Sequence, residues 1–519
     1  MNAIAKSRLV FIQTVIALLF IVIIGRMLHI TIFNQDYSDF HRYKSSQGKE
    51  EKRGNILDRN GVILATDIAT KALYVNPQLI KNRDKTAKLL SEMFSDLSYE
   101  QIIRKIIPNQ KRSWILIRRN LTPNQVLKVK NLHIAGLVFD TDKSRVYPHK
   151  SVASHIVGYS DVDRNGLAGI EITYDKTLKN GKNVNLTVDI RLQDIMVDEL
   201  QKALEQNKAK SAGGVIFDVN NGEILALASL PNFDPNISAK IEANQRFNRI
   251  VNGVYELGSI LKIFTNAIAF EENLLKESEI FNVKDPIKYG RFTISDDHRV
   301  KDKMNFEEIF IHSSNIGTVK IAEKFGAKKQ KEFFKKIGLL DKINVDFEGL
   351  GKPIYPKRWR EINLYTIAYG HGIAVTPLHI AMAVSAMVNG GNLINPTFTK
   401  RSMIEKHKII TNNTSQNLRN LMRKAVTNGT GGKADIKGYE IAGKTGTAEK
   451  AELGSYNKTK TIASFVAVFP ISKPKYLLYI LFDKPDTQFN TGGMVAAPVA
   501  GKIIENIAPI VNLQPTIEY

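Results

Sequence analysis

The longest hydrophobic pattern of the chain lies at the N-terminus. An uncharged apolar run begins at Leu9 and ends at Ile24, and the apolar character continues to residue 33. A helix over residues 9–33 is long enough to cross a bilayer, which needs about 20 residues. Lys6 and Arg8 lie on the short N-terminal side, and this favours a cytoplasmic position for that end.

A cleaved signal peptide and a buried core helix are the alternatives for this run. It is longer than the apolar part of most signal peptides, and no Ala-x-Ala cleavage site follows it. No later uncharged apolar run is as long. We therefore expect a single-pass anchor, with the chain after about residue 40 outside the cytoplasm.

Two further apolar patterns predict β-hairpins that lie far apart in the sequence. The first pairs residues 213–219 with 223–229 across an Asn-Asn-Gly turn, and the second pairs 462–469 with 476–482. A helix is predicted after the second hairpin, over 495–510, and helical patterns fill the long stretch between the hairpins. These patterns predict one antiparallel sheet that is completed from distant parts of the chain.

The region between the anchor and the first hairpin has a mixed and broken pattern. An Asn-Gly turn at Asn60 precedes a predicted strand over residues 62–65, and a charged helix is predicted over 85–98. We interpret this region as a separate, non-catalytic module.

Composition and charge narrow the possible chemistry. The 519 residues include no cysteine, which excludes thiol nucleophiles, disulfides, Fe–S clusters and cysteine-bound zinc. The 73 basic and 51 acidic residues give a net charge of +22, which suits nucleic acid, an anionic membrane or an acidic polymer. The expected location, and the lack of basic segments interleaved with aromatics, argue against nucleic acid.

Serine paired with lysine is the candidate nucleophile that remains. The chain has no His-Glu-x-x-His, Gly-x-Ser-x-Gly or phosphate-loop pattern, and Asp296-Asp297-His298 is interpreted as a polar loop rather than a metal site. Ser-x-x-Lys occurs at Ser46, Ser259, Ser455 and Ser472, and only at Ser259 does it open an apolar helix.

The spacing of Ser259 and Lys262 explains why this match is chemically meaningful. Residues three apart share a helix face, so the lysine amine can reach the serine hydroxyl. A buried lysine with a lowered pKa can remove the serine proton. The helix N-terminus would also stabilise a developing oxyanion.

Two more segments strengthen this interpretation. Ser313-Ser314-Asn315 presents a hydroxyl and an amide from a loop between helices, and Lys444-Thr445-Gly446-Thr447 follows a strand-like segment over residues 440–442. The second segment supplies a cation, two hydroxyls and a glycine where backbone must approach a ligand closely. Each is a common short pattern alone, but the three together in this order are hard to explain by chance.

The sequence therefore resembles the penicillin-binding proteins, whose motifs are Ser-x-x-Lys, Ser-x-Asn and Lys-Thr-Gly. The likeness covers nearly the whole chain and includes the segments at 53–65, 166–171 and 187–193. Without a glycosyltransferase domain, the chain is similar to the monofunctional class B enzymes. The segments Tyr255–Ser259, Ser313–Gly317 and Tyr369–Leu378 resemble those of division-type enzymes, with the elongation type as the alternative.

The resemblance implies roles for the motif residues in acyl transfer. Ser259 is the acylated nucleophile, Lys262 its base, Ser313 a proton shuttle and Asn315 a hydrogen-bond partner of the donor peptide. Lys444 lowers the pKa of Lys262 by repulsion.

Further residues are implied in binding the substrate. Thr445, Gly446 and Thr447 bind the terminal carboxylate of a D-Ala-D-Ala stem peptide, and the backbone N–H groups of Ser259 and Thr447 form the oxyanion hole. No cofactor or metal is implied. Leu257 and Ile260, which line the turn of the nucleophile, depart from the usual family pattern, and so does His371 in the Gly-rich segment.

The implied fold is α+β. It has a cytoplasmic tail at 1–8, a transmembrane helix at 9–33, an α/β pedestal of the dimerisation type at 41–185, and a transpeptidase domain at 186–515. That last domain combines an antiparallel sheet, flanking helices and an all-helical subdomain. The protein would lie in the bacterial inner membrane with its catalytic domain in the periplasm.

The implied partners are peptidoglycan stem peptides on lipid-linked nascent glycan strands, with β-lactams as covalent inhibitors. A polytopic glycosyltransferase and other division proteins are expected as well. The alternatives are a D,D-carboxypeptidase or β-lactamase on the same fold, and a catalytically silent division scaffold. The sequence shows no clear carboxylate base for hydrolysis.

Overall fold

The structure is a computed structural model that describes residues 3–33, 52–107, 114–290, 292–452, 455–488 and 490–516. The start of the predicted pedestal, residues 41–51, lies outside the described residues, as does the Ser-x-x-Lys match at Ser46.

The helices of the described residues are, in chain order, α1 (Ala3–Phe33), α2 (Arg83–Met93), α3 (Tyr99–Ile106), α4 (Pro123–Lys130), α5 (Ser154–Val157), α6 (Gly169–Thr173), α7 (Asp175–Lys179), α8 (Ile190–Gln206), α9 (Ala243–Arg246), α10 (Lys262–Glu271), α11 (Phe306–Ile311), α12 (Asn315–Glu323), α13 (Gly326–Lys336), α14 (Glu361–Tyr369), α15 (Pro377–Val388), α16 (Asn412–Thr427) and α17 (Ala497–Ile507).

The strands are β1 (Ile56–Leu57), β2 (Ile63–Val75), β3 (Ile115–Leu121), β4 (Leu137–Val146), β5 (Tyr159–Ser160), β6 (Gly166–Ala168), β7 (Val184–Asn185), β8 (Ser211–Asp218), β9 (Ile224–Leu230), β10 (Phe281–Asn282), β11 (Ile287–Tyr289), β12 (Phe292–Ile294), β13 (Lys303–Met304), β14 (Asn392–Leu393), β15 (His407–Lys408), β16 (Ala442–Glu452), β17 (Ser455–Phe469) and β18 (Tyr476–Asp483).

The chain forms two compact units. The first contains the described parts of residues 1–52 and 67–146, and the second contains those of 53–66 and 147–519. The domain boundaries drawn from the sequence, at residues 8, 33, 41, 185 and 515, stay predictions.

The first unit contains the apolar helix α1 and a small α/β module. Among the described residues, one helix is long and apolar enough to cross a membrane, over Val10–Leu28. In the module, β3 and β4 both pair with β2. Leu73 of β2 packs with Phe94, with Ile102 of α3 and with Ile117 of β3 in one buried cluster.

The second unit is organised by a five-stranded antiparallel sheet in the order β16-β17-β18-β8-β9. Its strands include both predicted hairpins, and β18 pairs with β8 to join them. The prediction of one sheet completed from distant parts of the chain is therefore confirmed. The predicted C-terminal helix is observed as α17, after a single π-helical turn over Gly492–Ala496.

Helices cover both faces of this sheet because its side chains alternate between two cores. On one face, Ile216 and Ile480 pack with Met196 of α8 and Ile503 of α17. On the other face, alternate residues of the same strands pack with α10, α15 and α16. The sheet is thus buried on both sides and gives a rigid support to its edge strand β16.

The stretch between β9 and β16 is mainly helical, from α9 to α16, and its described residues also form three short antiparallel pairs, β10–β13, β11–β12 and β14–β15. The predicted α+β class is confirmed, with an apolar N-terminal helix, a small α/β module, and an antiparallel sheet flanked by helices.

A buried ionic cluster joins two segments that the sequence analysis singled out. The Arg53 guanidinium donates to the Glu171 carboxylate at 2.6 and 2.8 Å and to Asp175 at 2.8 Å. Arg53 is 1% exposed and the Glu171 side chain 0%. Because a buried charge needs a partner, these residues fix each other across more than 100 positions of sequence.

Candidate active site

Ser259 lies in a tight turn directly before α10. The turn is a 3₁₀ helix over Gly258–Leu261, so the serine precedes the α-helix rather than opening it. Gly258 has φ of +58°, and a Cβ there would lie 2.2 Å from the carbonyl oxygen of Thr447. Only glycine fits this turn, which brings the backbone of Ser259 against strand β16.

Lys262 is fully buried at the start of α10. Its Nζ donates to the Ser313 hydroxyl at 3.1 Å and to Asn315 Oδ1 at 2.7 Å, and also to the Ser313 carbonyl oxygen. Burial lowers the pKa of Lys262 to about 8, against the opposite effect of the nearby carboxylates. A substantial fraction of this amine is therefore neutral near neutral pH.

Lys444 is the second buried amine of the site. Its Nζ donates to the Ser313 hydroxyl at 2.9 Å and lies 5.6 Å from the centre of the Phe310 ring. Burial, and then repulsion by Lys262, hold the pKa of Lys444 well below its usual range. The Ser313 hydroxyl thus accepts hydrogen bonds from both lysines. Repulsion between two neighbouring amines disfavours the charged form of both, and the expected effect of Lys444 on the pKa of Lys262 stays a prediction.

The Ser313–Asn315 segment forms the turn between α11 and α12. Ser313 has φ of +60°, an unusual value for a residue with a side chain, and Ser314 caps α12 by accepting from Gly317 N at 3.0 Å. As predicted, the motif lies in a connection between helices. The turn directs Ser313 and Asn315 toward Lys262.

The Lys444–Thr447 motif lies inside strand β16, not after it as the sequence pattern suggested. Pairing with β17 already begins at Ala442, because residues 442–452 continue as one strand. The Thr445 hydroxyl lies 2.8 Å from that of Thr430, and the Thr447 hydroxyl accepts from Gly492 N at 3.0 Å. Two threonine hydroxyls are thus fixed beside the serine turn.

The structure brings the predicted motifs into one site. Direct hydrogen bonds join Lys262, Ser313, Asn315 and Lys444. Ser259 is half-buried, and the preceding residue of its turn, Gly258, lies against Thr447 of β16. In the described part of the chain, no group of three or more His, Asp or Glu side chains could hold a metal ion.

Several residues that lie at the site were assigned no role there from the sequence. Asp296 accepts from the Ser314 hydroxyl and from two backbone N–H groups at the start of α12. Thr430 contacts Thr445, and Glu256 accepts from Gly372 N at 2.7 Å. Their partners lie 15 to 116 positions away in the sequence, so no local pattern could reveal them.

The residues that depart from the family pattern lie around the serine turn; Leu257 and Ile260 are buried and His371 is half-buried. Leu257 is 1% exposed and Ile260 0%. Burial lowers the pKa of His371 to about 4, so this ring is neutral at physiological pH. These residues shape the walls of the turn and add no charge to it.

Fold and site together define a class of protein. A serine on a helix turn, a buried lysine at i+3 with a lowered pKa, and a second buried lysine on an edge strand are the elements of the serine acyltransferases with a Ser-x-x-Lys motif.

Comparison with known proteins identifies the family. The family model described as penicillin binding protein transpeptidase domain matches residues 212–505, and that of the penicillin-binding protein dimerisation domain matches 49–206. The chain belongs to the penicillin-binding protein transpeptidase family. The two domains in this order confirm the predicted class B assignment.

Similar proteins cover most of the chain. It is 34% identical to the probable peptidoglycan D,D-transpeptidase FtsI of Caulobacter vibrioides, over 91% of this chain and 84% of that protein. It is 30% identical to the stage V sporulation protein D of Bacillus subtilis, over 99% and 87%. Penicillin-binding protein 3 of Mycobacterium tuberculosis, complexed with aztreonam, has a similar structure: the TM-score is 0.72 at 23% identity, over 90% and 98%.

Proposed function

We propose that the protein is a membrane-anchored D,D-transpeptidase that cross-links peptidoglycan stem peptides during septal wall synthesis. One observation carries the chemistry: two buried amines share the Ser313 hydroxyl beside the turn that presents Ser259. Such a group can move protons without a metal or a cofactor.

Acylation of Ser259 is the first step of the proposed reaction. Neutral Lys262 takes the hydroxyl proton, and Ser259 Oγ attacks the carbonyl carbon between the two D-alanines of the donor peptide. The C–N bond then breaks, and the leaving amine receives a proton through the Ser313 hydroxyl. Free D-Ala departs, and an ester joins the donor peptide to Ser259.

The backbone N–H groups of Ser259 and Thr447 are the proposed oxyanion hole. They belong to two segments in direct contact, since a Cβ at residue 258 would meet the Thr447 carbonyl. Donors held this rigidly stabilise the transition state by about 3 kcal/mol each.

Recognition of the donor carboxylate is assigned to strand β16. Thr445 and Thr447 offer fixed hydroxyls, and Gly446 lets the backbone approach the peptide. Lys444 supplies positive charge behind them when it is protonated. An extended donor peptide can pair with the free edge of this strand.

The second step transfers the acyl group to an amine. The amine of a neighbouring stem peptide attacks the ester carbonyl, gives up a proton to the Lys262 group, and releases the Ser259 hydroxyl. A new amide joins the two strands. A D,D-carboxypeptidase or a β-lactamase would use water instead, and the chain's similarity to named transpeptidases argues for the amine.

Membrane anchoring and the septal role complete the proposal. Helix α1 would span the inner membrane with its basic N-terminal end in the cytoplasm, leaving the catalytic unit in the periplasm. Division-type names among the relatives favour a septal role alongside a polytopic glycosyltransferase and other division proteins. Elongation-type activity and a silent division scaffold are the alternatives, and the sporulation relative shows that related chains serve other processes.

Acylation by benzylpenicillin tests the chemistry. The full-length protein in detergent is incubated with the drug, and intact-mass spectrometry with peptide mapping locates any adduct. We expect one stable adduct on Ser259 and none in the Ser259→Ala variant. A folded protein that forms no adduct would favour the scaffold, and rapid turnover of the drug would favour a β-lactamase.

Depletion in the native bacterium tests the septal role. Loss of a septal enzyme blocks division and gives filamentous cells, and a fluorescent fusion gathers at midcell. Rounded cells with a fusion spread along the side wall would contradict the septal role and support the elongation alternative. Complementation with Ser259→Ala separates enzyme from scaffold, because only a scaffold would restore division.

A further inference from the structure

The loop over residues 295–297, which contacts the Ser313–Asn315 motif, contains two adjacent carboxylates with different surroundings. Asp296 Oδ1 accepts from Asn315 N at 2.6 Å and from Ile316 N at 2.9 Å, and its Oδ2 accepts from the Ser314 hydroxyl at 2.8 Å. The next residue, Asp297, is exposed, and the described part of the chain offers it no hydrogen bond or salt bridge. Only the first carboxylate holds the motif.

The same loop orients the Asn315 amide. Asn315 Nδ2 donates to the Ser295 carbonyl at 3.0 Å, which turns Oδ1 toward Lys262 Nζ at 2.7 Å. With the amide reversed, an N–H group would face the amine and the hydrogen bond would be lost. The loop therefore determines which end of Asn315 meets Lys262.

The loop itself is anchored by hydrophobic packing. Ile294, directly before Ser295, is 4% exposed and packs with Val319 of α12 and with Leu364 of α14. Residues 295 and 296 are thus held against the helix whose first turn they cap. This gives Asp296 a fixed position relative to the motif.

The turn needs such support because its backbone is strained. A non-glycine residue at φ near +60° costs about 1 kcal/mol or more and persists only where the surroundings enforce it. Ser313 has this conformation, and its hydroxyl serves both lysines. The charged carboxylate on the first N–H groups of α12 offsets this cost.

We propose that Asp296 is a positioning residue for acyl transfer: it locks the Ser313–Asn315 turn so that Ser313 and Asn315 meet Lys262. This proposal rests on the proposed function. Asp296 acts through the motif and not on the substrate.

Two neutralising variants test the proposal. Asp296→Asn and Asp297→Asn each remove one negative charge near Lys262, but only the first loses an acceptor that holds the turn. The rate of acylation by benzylpenicillin is measured from pH 6 to pH 9.5 for the full-length protein and both variants. Other charged or titratable groups around Lys262 are Lys444 on β16 and His371 after α14, and both variants retain them.

The two variants should differ in the plateau rate of acylation and agree in the direction of the midpoint shift. Removing either carboxylate lowers the pKa of Lys262, so both midpoints move to lower pH. The plateau rate of Asp297→Asn should stay within about twofold of the parent, whereas that of Asp296→Asn should fall about 10- to 100-fold, because a misplaced group loses its effective concentration. Equal plateaus for the two variants would overturn the proposal.

A conservative variant keeps the test decisive if Asp296→Asn is unstable. Asp296→Glu retains the charge but moves the carboxylate by one methylene, so it should keep the parent midpoint and still lose plateau rate. A fully active Asp296→Glu would refute positioning, because charge alone would then suffice. If the parent protein is not acylated at all, the proposed function fails before this test begins.

Discussion

The protonation state of Lys262 gives the most direct prediction. Burial lowers the pKa of this amine from 10.5 to about 8. If the neutral amine is the base, the acylation rate follows the neutral fraction. That fraction is about one tenth at pH 7, one half at pH 8 and nine tenths at pH 9. We therefore expect the rate to rise about tenfold between pH 7 and pH 9.

The same pKa shift shows how much the buried environment of Lys262 contributes to catalysis. An ordinary lysine amine would be neutral in only about one molecule in 3,000 at pH 7, so burial increases the active fraction about 300-fold. This corresponds to about 3 kcal/mol of unfavourable charging and accounts for much of the 10²- to 10⁴-fold contribution typical of a positioned base.

The assay is acylation by benzylpenicillin, quenched at intervals and counted by intact mass. Lys262→Arg is the matched control, because arginine keeps the positive charge but cannot give up a proton at these pH values. We expect no acylation of this variant on the time scale of the parent. A flat pH profile of the parent, or an active Lys262→Arg, would refute Lys262 as the base.

Three further substitutions test other parts of the structure. Lys444→Met should raise the melting temperature, since a buried amine is replaced by an apolar side chain of similar length. It should also slow acylation and weaken carboxylate recognition. Unchanged kinetics would remove the role assigned to Lys444. Gly258→Ala should greatly slow acylation, because the new Cβ would overlap the Thr447 carbonyl oxygen 2.2 Å away; normal acylation would show that the turn tolerates the shift. Arg53→Met should lower the free energy of unfolding by about 3–5 kcal/mol, because it leaves Glu171 buried without its cation. A denaturant titration measures this loss. A change below about 1 kcal/mol would contradict the assigned role of the cluster.

Parts of the fold that depend on local patterns could be predicted from the sequence. The hairpins followed from continuous apolar runs and turn residues, and the three motifs followed from residue types that share one chemistry. The assembly of the three motifs into one site followed from family resemblance rather than from periodicity. The strand position of Lys444 was missed because its neighbours are glycine and threonine, which carry no apolar alternation.

Contacts between distant segments could not be predicted from the sequence. Asp296 lies in a polar loop, and nothing near it indicates that its partners begin 18 residues later. Arg53 and Glu171 are separated by 118 positions. Burial of a charged residue is decided by its partner, and a single sequence does not show which residues meet.

The site is built from features that each reduce the stability of the fold. Two buried amines lie near each other, and Ser313 has a strained backbone. The twice-covered sheet and the anchored loop at Asp296 provide the stability that permits them. Substitutions that stabilise the fold should therefore concentrate at the site, where they would abolish acyl transfer. Relieving the strained turn would displace the partners of Lys262, and removing the buried charge would remove the amine whose pKa burial lowers.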